Sequence, residues 1–239
     1  MRTDSPFYSH CFDVLHESPL FADLVETILQ DMLLSFHRET WKKNAPAMSS
    51  SQALEHFYLV IAGRLKISRI NPDTGRELTI FLLVPGDVFD VICLLDHREH
   101  EVIATALDDL EVLCAPLLEA REWIKKHPEF NRTLLPYLGK QIRALAELAS
   151  DLSLHDTATR LAKLILRHVD HENQQQELKL INDLSKEELA GMIGSVGVVA
   201  NRHLIKLKKE GVLETSRKHM HVKNLHSLVS RIEHHLELH

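Results

Sequence analysis

The chain has 239 residues, of which 44% are hydrophobic and 26% are charged, a composition typical of a globular protein with room for one or two cores. The sequence lacks an apolar run of the ~18 residues that a membrane helix needs and a secretory signal pattern at its start, so we expect no membrane contact and a cytoplasmic location. Cys11, Cys93 and Cys114 are odd in number and far apart, which favours neither a disulfide framework nor a Cys-x-x-Cys site.

The net charge of −6 is divided unevenly along the chain. Residues 1–156 carry 15 Lys and Arg against 24 Asp and Glu, whereas residues 157–239 carry 13 against 10. Seven cations lie between positions 195 and 223, namely Arg202, Lys206, Lys208, Lys209, Arg217, Lys218 and Lys223. Such a cluster is typical of a polyanion-binding surface, and also of an ordinary solvated helix face.

The hydrophobic pattern predicts helix, then short strands, then helix again. Apolar Leu20, Leu24, Ile28 and Leu33 indicate helix over the first forty residues. From position 57 short β-type runs follow at roughly ten-residue spacing, namely FYLVIAG, RLKISRI, ELTIFLLVPGD, EVIATAL and LEVLCA, with a hairpin turn at 71–75. This spacing indicates a sandwich or a barrel-like roll.

A helical segment with a regular apolar seam follows from about residue 128. Its apolar residues are separated by three or four positions, and they are Leu135, Leu138, Ile142, Leu145, Ala149 and Leu152. This spacing is an a/d seam, which a helix buries either against its own domain or against a second copy of the chain. Pro136 and Gly139 predict a kink, or a helix that is regular only beyond Gly139.

The sequence from position 184 predicts a winged helix-turn-helix. Ser185 with Glu188 forms a capping box that opens a short helix, and Gly194 permits a sharp turn. A second helix is expected over about 196–209, with its apolar residues facing the core and its cations mostly facing outward. The apolar residues are Val196, Val199, Ala200, Leu204 and Leu207. The runs 212–214 and 220–222 indicate a two-stranded wing, so the cations lie on the helix that would enter a major groove.

Taken in order, these segments resemble the CRP/FNR family of bacterial transcription regulators over nearly the whole chain. The resemblance is carried by SPLFADL, FYLVIAGRLKISRINPDTGRELTIFLLVPGDVF, the seam helix, LHDTATRLAKLIL, LSKEELAGMIG and ANRHLIKLKKEGVL. It implies an α+β fold with an N-terminal cyclic-nucleotide-binding-type β-roll (1–127), a long dimerisation helix (128–154) and a C-terminal winged helix-turn-helix (155–239) with a hinge near Asp156. It also implies a homodimer on a palindromic operator in double-stranded DNA, with RNA polymerase as a further partner that the resemblance allows.

The residues of the effector pocket depart from the cyclic-AMP-responsive pattern. Family members hold the ribose through a Gly-Glu pair and the phosphate through an Arg-Ser pair, and the matching positions here are Asp90-Val91 and His100-Glu101. The adenine-contacting Thr-Ser pair becomes Leu145-Ala146. Since Val91 accepts no hydrogen bond and Glu101 would repel a phosphate, we expect an effector other than cyclic AMP, in a pocket near Asp90, Val91, Cys93, His100 and Glu101.

Other family cofactors fit the sequence unequally. Cys11 alone near the N-terminus cannot supply the thiolates of an iron–sulfur cluster. Haem-binding members use a His just after the Gly-Asp turn, where Ile92 stands here, and His97 and His100 a few residues later leave a haem ligand open. The Asp, His and Glu residues of 96–101 are competent metal ligands, but we interpret this run as a solvated polar loop.

The predicted recognition helix also departs from the family pattern. Relatives carry an Arg-Glu pair that reads guanine and cytosine, and Gly197-Val198 stands at those positions, leaving Arg202 as the second Arg of the pattern. We expect DNA contacts from this helix and the wing, at Ser195, Gly197, Val198, Asn201, Arg202, Lys206, Lys208, Lys209 and Lys218. The alternative is an effector- or protein-binding module of the same fold that binds DNA without sequence preference. An enzyme is not expected, since the chain lacks P-loop, GxSxG, HExxH and deaminase motifs.

Overall fold

The computed structural model describes residues 1, 4–170, 176–215 and 220–236. The chain divides into two compact units. The first unit comprises Met1–Arg69 and Phe81–Leu145, and the second comprises Ile70–Ile80 and Ala146–His239. The segment 128–154, expected to be the dimerisation helix, is therefore divided between the two units.

Seven short strands build the β-roll. They are β1 (His37–Trp41), β2 (His56–Ala62), β3 (Leu65–Ile70), β4 (Glu77–Leu83), β5 (Val88–Phe89), β6 (Ile103–Ala106) and β7 (Leu110–Pro116). One sheet has the order β1-β7-β2-β5 and the other has the order β4-β3-β6. Strand β7 is antiparallel to both neighbours, so that Cys114 lies opposite His37 on one side and Tyr58 on the other. The predicted roll is confirmed.

Helices accompany these sheets, and the positions at which they begin and end correct one prediction. They are α1 (Tyr8–Glu17), α2 (Glu26–Ser35), α3 (Val91–Asp96), α4 (Leu117–Lys126) and α5 (Pro128–Leu154). The prediction of helix through the first forty residues is wrong in part, because α1 ends before Ser18 and β1 already begins at His37. Ser18 is extended, with ψ of 131°, as expected of a residue that precedes a proline.

The core of the first unit is aromatic and aliphatic. Phe21 packs against Phe57, Trp123 and Phe130, with ring centroids 5.4–6.3 Å apart. Phe130 begins the buried stripe of α5, which continues through Leu134 and Tyr137. This burial, at about 25 cal/mol per Å² of apolar area, is the main term that holds α5 on the roll.

Helix α5 is unbroken across Pro136 and Gly139. Of the two predicted alternatives, a helix that is regular only beyond Gly139 is therefore wrong, and a kink stays a prediction. Proline removes one helical hydrogen bond, and the carbonyl that loses it belongs to Arg132, an exposed residue. Among the described residues, none of the helices is long and apolar enough to cross a membrane.

The second unit contains the helix-turn-helix. Its elements are α6 (Thr157–Arg167), α7 (Lys186–Met192), α8 (Gly197–Lys209), β8 (Leu213–Thr215), β9 (Met220–Val222) and α9 (Leu225–Leu236). Strands β8 and β9 pair antiparallel, with Leu213 opposite Val222. Two helices joined by a short turn and followed by a two-stranded wing confirm the predicted winged helix-turn-helix.

Candidate functional site

Local hydrogen bonds fix the start of α7, and a glycine fixes the turn between α7 and α8. The Glu188 amide donates to Ser185 Oγ over 3.1 Å, and the Ser185 amide donates to Glu188 Oε2 over 2.6 Å, which confirms the capping box. Gly194 then adopts φ of +57°, and a Cβ atom there would lie 2.4 Å from Leu152 Cδ2. Only glycine satisfies both the left-handed backbone and this close approach, so Gly194 sets the direction of α8.

The inner face of α8 packs into the second unit. Ala200, Leu204 and Leu207 are buried and Val199 is half-buried, as the periodicity predicts. The expectation that Val196 points inward is wrong, because Val196 is exposed. Val196 is the extended residue that precedes the helix, and its side chain does not follow the helical stripe.

The outer face of α8 carries exposed cations. Arg202, Lys206, Lys208 and Lys209 are exposed, and Ser195 and Asn201 are half-buried at its edge. Among described residues, no carboxylate lies within 4.0 Å of any of these four cations. Lys218, expected to act from the wing, lies outside the described residues. This face therefore offers four uncompensated charges to an anionic partner.

The first turn of α8 presents a small and an apolar residue. Val198 is 83% exposed, which makes it the most exposed large hydrophobic side chain of the described residues. A Cβ on Gly197 would lie 2.8 Å from Glu187 Oε1, the mobile end of a flexible side chain. The Glu187 side chain therefore covers the backbone at Gly197, and a larger side chain at position 197 would first have to displace it.

Asp156 and Asp151 anchor the start of α6. The Asp156 side chain accepts from the Thr159 amide at 2.7 Å and caps the helix. The Asp151 carboxylate is buried and bonds directly to Lys163 and Arg167 on α6. The residue expected to be the hinge is therefore a helix cap, next to a buried carboxylate that ties the end of α5 to α6.

The first unit contains a mainly apolar cavity of about 220 Å³. Fifteen residues line it, and three of them have polar side chains, Asp90, His100 and Gln141. Helix α5 contributes Leu138, Gln141, Ile142 and Leu145 to this lining. The Val88 amide donates to Tyr137 Oη over 3.0 Å, which holds α5 against β5 beside the cavity.

Asp90 is the most unusual residue of the cavity wall. It precedes α3 with φ and ψ of 51°, a left-handed conformation that few residues other than glycine adopt. Its side chain is 1% exposed, and the His100 ring lies beside it, with Nδ1 3.6 Å from Oδ1. Burial raises the pKa of the Asp90 carboxyl, and the nearby His100 opposes that effect.

Comparisons with known proteins identify both halves of the chain. A Crp-like helix-turn-helix domain matches residues 159–231, and a cyclic nucleotide-binding domain matches residues 38–127. The chain belongs to the CRP/FNR family. The members of this family are transcription regulators rather than enzymes, which agrees with the expectation that the protein is not an enzyme.

Individual relatives agree with this assignment. The chain is 28% identical to a cyclic AMP receptor protein of Thermus thermophilus, over 82% of this chain and 88% of that one. It is 26% identical to a CRP-like cAMP-activated global transcriptional regulator of Mycobacterium tuberculosis, over 74% of this chain and 80% of that one. The structure of a CooA mutant from Carboxydothermus hydrogenoformans shares the fold, with a TM-score of 0.72 and 22% identity over 84% of this chain and 90% of that one.

The cavity lining lacks the polar groups that would hold a cyclic nucleotide. None of the fifteen lining residues is Lys or Arg, so the wall provides no cation for a cyclic phosphate. The buried Asp90 carboxylate would repel that phosphate in a poorly screened environment. Val91 lines the cavity with an apolar side chain that cannot bind a ribose hydroxyl.

The other residues expected in the effector pocket lie in different places. His100 lines the cavity together with Asp90 and Val91. Cys93 is fully buried outside the lining, and its burial raises the pKa of the thiol to about 11, so the reactive thiolate is scarce near neutral pH. Glu101 is exposed and its carboxylate lies 3.6 Å from the Arg69 guanidinium. The structure thus brings three of the five residues together.

The six seam residues lie along α5 with graded exposure. Leu135 is 68% exposed, Ile142 and Ala149 are also exposed, and Leu138, Leu145 and Leu152 are half-buried. The buried stripe of α5 is formed instead by Phe130, Leu134 and Tyr137. The seam therefore overlaps in part with the inward face of α5, since Leu138 packs against the core of the first unit, whereas Leu135 and Ala149 are exposed.

Three residues of the site escaped the sequence analysis. Gln141 lines the cavity, Tyr137 joins α5 to β5, and Asp151 binds α6. Asp151 and Lys163 carry opposite charges on two consecutive helices, which was the available signal. Tyr137 binds a strand residue 49 positions away in sequence, and Gln141 lines a cavity that distant segments form, for which local patterns carry no information.

Proposed function

We propose that the protein is a cytoplasmic, homodimeric transcription regulator that binds a palindromic operator in double-stranded DNA with sequence preference. The supporting observation is the outer face of α8. Four exposed cations without carboxylate partners occupy the second helix of a helix-turn-helix, the element that enters the major groove in this motif.

The side chains of this face suit different parts of the duplex. Arg202 has the fork geometry that pairs with guanine in the major groove, and Asn201 matches adenine or a phosphate. Val198 would contact a thymine methyl group, and Gly197 would let the backbone approach. Ser195, Lys206, Lys208, Lys209 and Lys218 would bind phosphates, which adds affinity without sequence preference.

The exposed seam on α5 supports a homodimer. Apolar side chains on one helix stripe gain about 25 cal/mol per Å² when a second copy covers them. A two-fold dimer presents two copies of α8, which then contact half-sites about one turn of DNA apart. RNA polymerase is a further partner that we propose only because the chain belongs to this family.

The first unit is proposed to bind an effector that biases the DNA-competent state. The Mycobacterium tuberculosis relative is named as cAMP-activated and the Thermus thermophilus relative as a cyclic AMP receptor. The apolar wall and Asp90 of this chain favour a different ligand. We likewise propose no iron–sulfur cluster. A haem ligand would have to come from His100, because His97 does not line the cavity.

Selection from a library of random-sequence duplexes tests the proposal. The purified protein is mixed with the library at near-physiological salt, and the bound DNA is sequenced. We expect enrichment of one sequence with two-fold symmetry and half-sites about ten base pairs apart, centre to centre. Bound DNA without an enriched sequence, in the presence and the absence of a small-molecule extract, would contradict the proposal.

Gly197 and Val198 support a second candidate function. Each bidentate base contact contributes about 1–3 kcal/mol of discrimination, and these two residues provide none. The protein would then be an effector- or protein-binding module that attaches to any DNA through its lysines. Equal affinity for all duplexes with a steep salt dependence is the signature of this alternative.

A further inference from the structure

The carboxylate of Asp90 lacks a hydrogen-bond partner. Neither Oδ1 nor Oδ2 accepts a well-formed hydrogen bond among the described residues, and both atoms are buried. The Cys93 amide and His100 lie close enough to lower the pKa of the carboxyl without satisfying either oxygen. The His100 ring nitrogen at 3.6 Å from Oδ1 is too far to satisfy either oxygen. A buried carboxylate in this condition costs free energy that a hydrogen-bonded cation would offset.

The backbone places this carboxylate on the cavity wall at a further cost. Asp adopts φ of 51° more readily than most non-glycine residues, but this left-handed backbone still carries a cost, and such conformations often occur at ligand sites. Asp90 follows β5, whose amide at Val88 is bound by Tyr137 of α5. Two independent features, the unsatisfied oxygens and the left-handed backbone, therefore meet at one residue of the wall.

We infer that this cavity binds a small, mostly apolar amine whose ammonium group pairs with Asp90. The hydrocarbon part would contact the aliphatic and aromatic lining, which includes Phe81, Leu83 and Phe89. An apolar cavity of about 150 Å³ holds benzene, so the 220 Å³ here suits roughly nine non-hydrogen atoms. The inference rests on the proposed role of the first unit as the effector-binding part, and it names the chemical class of that effector.

Charge distinguishes an amine from other ligands of the same shape. A neutral alcohol would fill the cavity but would leave the carboxylate without a cation. An anionic acid would bring a second negative charge against Asp90, with no Lys or Arg in the lining to offset it. From the charges of the cavity wall we therefore expect the amine to bind most tightly, the alcohol less tightly and the acid least tightly.

Titration calorimetry of the full-length protein tests this order. The probes are 2-phenylethylamine, 2-phenylethanol and phenylacetate, which differ mainly in the charge of one end. We expect the amine to bind at least about tenfold more tightly than the alcohol, since hydrogen bonds between charged groups are the stronger ones. Equal affinities for the amine and the alcohol, or no binding of the amine, would overturn the inference.

Two variants assign the effect to one carboxylate. Asp90→Asn keeps the size and the tolerance for a left-handed backbone, and it should lower the affinity for the amine to that of the alcohol. Its affinity for the alcohol should stay within about threefold, which shows that the cavity is intact. Asp96→Asn removes an exposed carboxylate from the end of the same helix and should leave amine binding unchanged. An unchanged amine affinity in Asp90→Asn would overturn the inference.

The outcome is separable from that of the proposed function. Calorimetry contains no DNA, so it reports the cavity alone. A protein that binds the amine through Asp90 but shows no sequence preference for DNA supports this inference and refutes the operator proposal. A sequence-selective DNA binder that does not take the amine refutes the inference and leaves the operator proposal standing.

Discussion

Position 194 requires glycine for two reasons, a left-handed backbone and a lack of space for a side chain. Its φ is +57°, and a Cβ atom would meet Leu152 at 2.4 Å, whereas Gly75 has a φ of +66° with nothing within 4 Å of a Cβ. Backbone strain alone costs roughly 1–2 kcal/mol for an alanine at such a φ.

We therefore expect Gly194→Ala to lower the free energy of unfolding by more than Gly75→Ala does. Denaturant unfolding of the two variants measures the difference, and the excess for Gly194→Ala is the cost of moving Leu152. Equal losses in the two variants would show that position 194 has room for a side chain.

His168 is a second residue with a measurable consequence. Burial lowers the pKa of this imidazole, and the neighbouring Arg167 adds to the effect. The unfolded chain, with a histidine pKa near the usual ~6.5, therefore takes up a proton at a higher pH than the folded chain does. The stability that this difference contributes is complete above about pH 6.5 and is lost as the pH falls toward the lowered folded pKa.

Unfolding of wild type and His168→Gln at pH 7.5, 6.5 and 5.5 tests this sign. We expect the free energy of unfolding of the wild type to decline with acid more steeply than that of His168→Gln. Parallel pH profiles would show that this imidazole is not desolvated. An NMR titration of the His168 ring checks the lowered pKa directly.

At the scale of elements, Asp151 links α5 to α6. The carboxylate is buried and bonds to Lys163 and Arg167, so its removal leaves two cations without their partner. Breaking a buried pair by removing one member costs more than losing a surface contact, and about 1–3 kcal/mol is expected when the remaining charges reach water.

Asp151→Ala should lower the free energy of unfolding by that amount, measured by denaturant unfolding. Glu147→Ala is the matched control, because Glu147 is an exposed acidic residue one turn earlier on the same helix. A loss in Asp151→Ala no larger than in Glu147→Ala would mean that the ion pairs are not a stabilising link.

The elements show how far local sequence determines structure. The helix-turn-helix was predictable because the capping box at Ser185, the turn at Gly194 and the α8 stripe are all short-range signals. Strands β1 and β5 were missed: β1 has the polar sequence HRETW and depends on pairing with β7, and β5 has two residues. The burial of Asp90 was equally inaccessible, because local sequence patterns do not show which side chains line a cavity.

At the scale of the whole molecule, the proposed dimer depends on the seam of α5. Leu135 on the seam is 68% exposed, and Leu118 on α4, away from the seam, is 74% exposed. A charge placed within an apolar dimer interface is costly to desolvate, whereas a charge on a free surface is not.

Leu135→Glu should therefore shift the protein from dimer to monomer in sedimentation experiments, and Leu118→Glu should leave it dimeric. A monomeric wild type, or a dimer that survives Leu135→Glu, would contradict the proposal that the seam forms the dimer interface. Leu138, Ile142 and Leu145 belong both to the seam and to the cavity wall, so we expect ligand and partner chain to act on the same helix.

The central claim is that α8 reads DNA sequence, and a competition between two duplexes tests it most directly. One duplex is the palindrome from the library selection and the other has the same bases in scrambled order, each titrated at several salt concentrations. We expect the wild type to prefer the palindrome and Arg202→Ala to lose about 1–3 kcal/mol of that preference. Lys209→Ala should weaken both duplexes alike and reduce the salt slope by about 1. Equal binding of the two duplexes by the wild type at every salt concentration would contradict the claim.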